Sequence, residues 1–216
     1  MSRYPVGRGL RVEVAKTMAT AKTVTAVTLA SPGVATSSAH ALPAGSVGVF
    51  QDVTGMLQLE GQAIRVASPD SNTFQLQLYE TTDMPAFTGG KFVPVTAWST
   101  VGNATQYSIG QADAAQQDMT VLLDDIRQQE AGLMNAQTVS ITGFSAFNSE
   151  AMQILQSAAR RAAAVVFRIT LKDGQQRIFN GTPSLPGEEA STGQPLTGAF
   201  SVLIKGSVMF LPAVAS

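Results

Sequence analysis

The sequence predicts a mainly β protein of the α+β class: a β-sandwich or barrel with one packed α-helix. Three observations support this fold class. Short stretches alternate apolar and polar side chains with the two-residue period of a half-buried strand. These stretches are separated by turn-forming residues, since the chain contains 19 Gly and 10 Pro. One segment near residue 150 instead has the spacing of an amphipathic helix.

The predicted strands are spread along the whole chain. Near the N-terminus, Leu10, Val12 and Val14 alternate with charged residues, which predicts a half-buried strand. The same alternation, with amides or hydroxyls on the outer face, recurs at Phe74–Leu78, Thr138–Thr142 and Phe200–Lys205. Together these segments predict antiparallel sheet with one covered and one open face.

The predicted helix covers about residues 148–162. Asn148 can cap its N-terminus, and Glu150 lies in the first turn, where the helix dipole favours an acid. An apolar stripe at helical spacing runs along Ala151, Leu155, Ala158 and Ala162. Arg160 and Arg161 fall in the last turn, where cations are favoured, so this basic pair is interpreted first as a helix C-terminal cap.

Two further local predictions flank this helix. Asp173-Gly174 lies between two strand-like segments, and Asp-Gly is a preferred tight-hairpin turn. A weaker helical candidate covers Ala112–Gln117, while Met119–Ile126 is compatible with strand or helix. The pattern changes near Phe92, which predicts a main β domain of residues 1–20 and 91–216 and a small all-β insert of residues 21–90.

Composition argues against most catalytic chemistry. The chain has 14 basic and 15 acidic residues, one His and no Cys. The absence of Cys excludes disulfides and thiolate sites, and a single imidazole excludes sites that need two. We therefore expect no cofactor, no metal and no enzymatic activity. The longest purely apolar run, Ala162–Phe167, is too short to cross a membrane, and no signal peptide is recognisable, so we expect synthesis in a cytoplasm.

Candidate catalytic motifs are incomplete. His40 lies in a polar loop, and Gly143–Phe147 has Phe where the nucleophile elbow of a hydrolase needs its second Gly. The adjacent acids Asp124 and Asp125 point in different directions in a helix or a strand, so they do not converge on one substrate atom. Gly89-Gly90-Lys91 lacks the upstream Gly and following Ser or Thr of a phosphate-binding loop.

The low content of charged residues favours a protein that binds other proteins. Charged residues make up 13% of the chain, about half of the usual share, and the cores of interfaces are depleted of charge. A net charge of −1 gives the chain no overall electrostatic attraction for a polyanion such as nucleic acid. Trp98 is a possible sugar-stacking platform, but a packed Trp in a linker is the preferred interpretation.

The C-terminal half resembles the major tail tube proteins of long-tailed, siphovirus-like bacteriophages. The resemblance rests on a strand, one capped helix, an Asp-Gly hairpin ending in Phe-x-Gly and a late strand. The residues that carry it are Leu122–Ile126, Asn148–Leu155, Phe167–Gly174, Arg177–Gly181 and Ala199–Ile204. Segments Ala39–Val47, Val53–Gly61 and Asn72–Leu76 are similar to a small β module of phage structural proteins, which is related to the FCCH-like domain of ubiquitin-activating enzymes.

The resemblance implies hexameric rings that stack into a tail tube, through which double-stranded DNA passes without specific binding. It implies contacts with the chain's own copies and with other tail proteins (tape measure, tail terminator, baseplate or tip), and no membrane. Expected interface residues are the N-terminal arm and the helix, namely Arg3, Tyr4, Arg8, Arg11, Leu155, Arg160 and Arg161. Two alternatives stay open: another virion ring component such as a terminator or connector, and a carbohydrate- or cell-surface-binding β module.

Overall fold

The computed structural model describes residues 9–102, 104–111, 114–118, 129–144 and 149–213. Strands dominate this part of the chain, as predicted, and one α-helix, α1, spans Glu150–Arg160. The first eight strands are β1 (Arg11–Met18), β2 (Lys22–Val24), β3 (Ala26–Val27), β4 (Val34–Thr36), β5 (Val47–Thr54), β6 (Ala63–Ala67), β7 (Thr73–Leu76) and β8 (Gly89–Val101). The others are β9 (Ala104–Ile109), β10 (Ala114–Asp118), β11 (Gln129–Met134), β12 (Thr138–Phe144), β13 (Val165–Thr170), β14 (Gln176–Pro183), β15 (Gly187–Glu189) and β16 (Thr197–Leu211).

Fourteen of these strands form one antiparallel sheet that curls into a half-barrel. The order along the sheet is β3-β4-β7-β6-β5-β8-β1-β13-β14-β16-β12-β9, with β2 added to β8 and β15 added to β16. β10 and β11 form a separate two-stranded ribbon. The described part of the chain contains no helix with the length and hydrophobicity needed to cross a bilayer.

α1 covers one face of the β1–β13–β14–β16–β12 part of the sheet. Ser149 caps the helix, because its hydroxyl accepts a hydrogen bond from the Met152 amide at 3.4 Å. The buried helix residues Ala151, Met152 and Leu155 pack against the sheet in what we call the helix-side cluster. Its other members include Val12, Val14, Val101, Val139, Ile141, Phe167, Ile169, Phe179, Phe200, Val202 and Ile204.

The segment from β2 to β7, called here the β2–β7 region, has a core of its own, centred on Phe50, Phe74 and Phe92. A third group, called here the joint cluster, connects this region to the opposite face of the main sheet. It contains Val47, Val49 and Ala63 from β5 and β6 together with Ala15, Val93, Val166, Ile178, Met209 and Leu211. The main sheet is therefore covered by the helix on one face and, over part of its width, by the β2–β7 region on the other.

The strand β8 belongs to both halves of this arrangement. Its first residues pair with β2 and β5, as in the pair of Phe92 with Phe50. Its last residues pair with β1, as in the pair of Val101 with Val12. One continuous backbone of 13 residues therefore connects the two hydrophobic cores without an intervening loop.

The most regular local predictions are confirmed. Phe74 and Leu76 are buried on one face of β7, and Val139 and Ile141 are buried on one face of β12. The Asp173-Gly174 pair connects β13 to β14, and Gly174 adopts the positive φ of 82° that such a turn requires. The helix lies within its predicted range, although the observed cap is Ser149 and Asn148 falls outside the described residues.

Three local predictions are wrong. Ala162 does not continue the apolar stripe of the helix, because it lies beyond the end of α1, has a φ of 49° and is exposed. The helix predicted at Ala112–Gln117 does not form, because Ala114–Asp118 is a strand paired with β11. Leu78 does not continue the buried face of β7: it has a φ of 55°, lies beyond the end of the strand and is 64% exposed. The ambiguous segment from Met119 to Ile126 lies outside the described residues.

Candidate functional site

The open face of β9, β12 and the first half of β16 carries a row of hydroxyl groups. Ser140 lies opposite Ser108 on one side and opposite Ser201 on the other, so three serines line up across three strands. In the next row, Thr142 lies opposite Gln106 and Ala199. Since side chains alternate across a strand, all of these residues point to the same face.

This face is open because its reverse carries the apolar residues. Val139, Ile141, Phe200 and Val202 alternate with the hydroxyl residues and are buried against the helix-side cluster. The joint cluster, which covers the same face of the sheet farther along, has no member on β9 or β12. The result is a sheet surface with one dry side and one polar, exposed side.

Within β9, β12 and the first half of β16 the open face is also electrically neutral, and the neighbouring strand β15 adds the carboxylate of Glu189 at its margin, opposite Thr197. No charged side chain occurs in the described rows that join β12 to β16, from the pair of Thr138 with Leu203 to the pair of Phe144 with Thr197. Leu203 and Phe144 are the large apolar exceptions on this face, with 52% and 48% of their surface exposed. The first cation beyond the rows is Lys205, on the part of β16 that pairs with β14. A polyanion next to these rows would meet hydroxyl and amide groups and no fixed positive charge.

β9 is the last strand in the order of the main sheet. Its residues pair with β12, and among the described residues no strand pairs with its other edge. An edge strand presents unpaired amide and carbonyl groups that can bind another chain. The open face and this edge therefore adjoin each other.

The predicted interface residue Arg11 lies in a compact charged group. Glu13 is 2% exposed and accepts salt bridges from Arg11 at 2.9 Å and from Arg168 at 2.8 Å. The Arg168 guanidinium also lies 4.3 Å from the ring centroid of Trp98. Burial of the Glu13 carboxylate is thereby compensated by two cations, and Arg11 stays 61% exposed.

The other predicted interface residues have different environments. Leu155 is fully buried in the helix-side cluster, so its side chain belongs to the chain's own core. Arg160 is exposed in the last helical turn, and Arg161 is the C-cap residue, whose Nε donates to the Ser157 carbonyl at 3.1 Å. Arg3, Tyr4 and Arg8 lie outside the described residues.

His40 has a structural environment. It is 1% exposed, its Nδ1 accepts a hydrogen bond from the Leu42 amide at 3.0 Å, and its Nε2 lies 3.1 Å from the Thr73 carbonyl. With one nitrogen accepting and the other donating, the ring is a neutral imidazole that holds a loop against Phe74, with the two ring centroids 5.2 Å apart. The loop placement was predicted from the sequence, but the burial was not.

The remaining candidate motifs also have other roles or fall outside the description. Lys91 lies near the start of β8, where it pairs with Gln51, and forms a salt bridge with Asp52 at 2.7 Å. Asp124, Asp125 and Ser145 lie outside the described residues. Trp98 is packed, as preferred, but within β8 and against the joint cluster and not in a linker. Among the described residues, no three metal-ligating side chains are close enough to hold an ion.

A buried polar seam was missed from the sequence. Arg65 is 1% exposed and donates to the Gln77 and Gln176 side chains and to the Pro212 carbonyl. Gln62, also 1% exposed, bonds to the backbone of Ser207. The seam joins the β2–β7 region to β14 and β16. The one signal of this seam in the sequence is Arg65, a charged residue inside the otherwise apolar run Ala63–Ala67. A short apolar run of this kind is typical of a strand that is buried on both faces.

A comparison with protein families supplies the decisive observation. The family model described as phage tail tube protein, TTP, matches residues 54–194, about two thirds of the chain. The chain belongs to the phage tail tube protein family. The tail tube protein is thus a structural component of the virion tail and not an enzyme, as predicted, and it associates with its own copies and with other tail proteins. No curated protein matches the sequence.

Proposed function

We propose that this tail tube protein forms hexameric rings that stack into the tube of a siphovirus-like phage and conduct double-stranded DNA during ejection. The observation that carries the proposal is the neutral hydroxyl face of β9, β12 and β16 in a chain of the tail tube family. The proposal assigns this face to the bore of the tube.

The physical demand on such a bore is weak attraction for phosphate. Every Lys or Arg that neutralises a phosphate releases counterions and adds affinity, and the summed affinity would retard a moving duplex. Hydroxyl and amide groups keep the wall wetted without adding that term. The rows around Ser140 and Thr142 fit this demand, because they offer polar groups without cations.

Ring closure would use the free edge of β9. In the proposed ring, a neighbouring subunit continues the sheet along this edge, which would satisfy its backbone groups and remove an exposed edge. Arg11 and Arg160, which are exposed in the single chain, remain candidates for contacts with neighbouring subunits.

The β2–β7 region is proposed to be an inserted module, within residues 21–90, similar to the FCCH-like module and located on the outside of the tube. Since this region lies on the same face of the sheet as the hydroxyl rows, the proposal requires the curl of the half-barrel to turn this part of the sheet away from the bore. Its separate core around Phe74 supports a distinct unit. Proposed partners are the tape measure protein, the tail terminator and the baseplate or tip, with assembly in the host cytoplasm and no membrane contact.

Assembly and conduction can be tested separately. Purified protein imaged by negative-stain electron microscopy should show six-fold rings or tubes; a strictly monomeric species at high concentration would contradict the assembly.

The conduction test places a cation on the open face by the substitution Ser140→Lys. Phage that carry this variant should assemble normal tails and eject DNA more slowly. The control is Gln153→Lys, which adds the same charge on the exposed side of α1. Equal ejection rates for both variants would contradict the bore assignment.

A further inference from the structure

A groove of about 450 Å³ lies between the C-terminal end of α1, the strands β1, β13 and β16, and the β2–β7 region. Three cationic side chains line it: Lys16, Arg161 and Lys205. Its volume falls in the range of about 300–1,000 Å³ that is typical of sites that bind a ligand. The groove is distinct from the neutral open face, because its walls carry cations.

The cations of the groove are only partly neutralised by the chain itself. Lys16 forms a salt bridge with Glu150 at 2.6 Å. Within the described residues, no carboxylate lies within salt-bridge distance of Lys205 or Arg161. The one acid in the groove wall, Glu60, already accepts a hydrogen bond from the Val53 amide at 2.8 Å. The groove therefore has unsatisfied capacity for a carboxylate.

An exposed acidic element lies beside the first residues of β16. The strand β15 ends in Glu188 and Glu189, both exposed, and Glu189 pairs through its backbone with Thr197. No salt bridge to Glu189 occurs in the described part of the chain. Thr197 and Lys205 are eight residues apart on β16, which corresponds to about 26 Å along a strand.

We infer that the groove receives the acidic β15 end of an adjacent copy of the chain, so that Glu189 of one copy meets Lys205 of the next. This inference rests on the proposed self-assembly and names the surfaces that carry it. Because Glu189 lies beside the first residue of β16 and Lys205 lies eight residues farther along that strand, one copy can present its acidic end and receive that of a neighbour at the same time. Such a head-to-tail contact is heterologous, which produces a ring if the rotation closes and a filament if it does not.

The test is a charge exchange. Lys205→Glu and Glu189→Lys each place like charges together in the contact, so each is expected to raise the protein concentration needed for assembly by about tenfold. The double variant restores opposite charges across the contact, so the protein concentration that it needs for assembly should fall most of the way back to that of the unmodified protein. Assembly is measured by sedimentation and negative-stain electron microscopy. Lys172→Glu is the matched control, since Lys172 is exposed in the β13–β14 turn, away from the groove.

The outcomes separate this inference from the proposed function. Rescue in the double variant, with folding of both single variants unchanged by circular dichroism, supports the contact. If the unmodified protein forms neither rings nor tubes, both proposals are wrong. If it assembles and both single variants behave like Lys172→Glu, the contact is wrong and self-assembly stands. Rescue of Lys205→Glu by Asp124→Lys, with none by Glu189→Lys, overturns the assignment of β15 as the occupant.

Discussion

The buried guanidinium of Arg65 is expected to hold the β2–β7 region against the main sheet. It donates to Gln77 Oε1 at 2.6 Å, to Gln176 Oε1 at 2.9 Å and to the Pro212 carbonyl at 2.8 Å. Only the first acceptor belongs to the β2–β7 side; the other two are on β14 and just beyond β16. Replacing Arg65 by Ala removes these three hydrogen bonds without touching either backbone.

The size of the effect follows from which acceptors stay buried. Gln176 is 9% exposed, so losing its donor costs about 1–3 kcal/mol, whereas Gln77 and Pro212 are more exposed and can bind water instead. The lost methylene groups of the Arg65 stem add about 2 kcal/mol. Relief of the buried charge acts in the opposite direction. We expect Arg65→Ala to lower the free energy of unfolding by about 2–4 kcal/mol.

The measurement is urea denaturation of the unassembled protein, followed by the fluorescence of Trp98, the one Trp of the sequence, which packs against the joint cluster. A double-mutant cycle with Gln176→Ala isolates the contact between the two side chains, with an expected coupling of about 1.5–3 kcal/mol. The control is Arg177→Ala, which removes a neighbouring Arg stacked 4.9 Å from the Phe210 ring and should cost about 0.5–1 kcal/mol. A coupling below about 0.5 kcal/mol would refute the proposed role of Arg65.

Two further predictions concern α1. Leu155→Ala should lower the free energy of unfolding by about 2–5 kcal/mol in a thermal or urea melt, because Leu155 is fully buried in the helix-side cluster. Glu150 accepts from Lys16 and from Ser99, and the Lys16 contact is the main cause that lowers the pKa of this carboxyl below its ordinary 4.5. The stability that this contact contributes is present above the ordinary pKa of 4.5 and is lost as the pH falls through the lowered pKa, so Glu150→Gln should flatten the part of the acid limb of the stability curve that lies below pH 4.5.

Matched controls exist for both helix variants. Gln153→Ala changes an exposed position two residues before Leu155 and should leave the melt almost unchanged. Lys16→Met removes the partner of Glu150 and should flatten the same acid limb. An acid limb identical in Glu150→Gln and in the unmodified protein would mean that other carboxylates carry the pH dependence.

The strands with one dry face could be predicted well. Hydroxyls were placed outward and apolar side chains inward at Thr138–Thr142 and Phe200–Lys205, and the structure confirms both patterns. The reason is physical: α1 covers one face only, so burial follows the two-residue period. Leu203 points to the open face in that same alternation, and its exposure shows that the period decides orientation even for a large apolar side chain.

The failures arise where tertiary contacts override local preference. Ala and Gln favour helix at Ala112–Gln117, yet pairing with β11 makes Ala114–Asp118 a strand. Glu13 was predicted on the polar side of a half-buried strand; it is on that side, but buried, because Arg11 and Arg168 close over it. The seam around Arg65 and the groove around Lys205 combine residues far apart in the chain, so no local pattern signals them.

The continuity of β8 has a mechanical consequence. A domain attached by a loop can swing, but the β2–β7 region shares a strand with the main sheet, so a force applied to it is carried by covalent backbone and a ladder of hydrogen bonds. Phe92 and Val101 are nine residues apart on that strand, so each side chain points to a fixed face of the sheet. Inserting one residue between them would reverse that relation and turn the side chains of one half away from their core. Changes in the length of this strand should therefore be far less tolerated than changes in the loops around it.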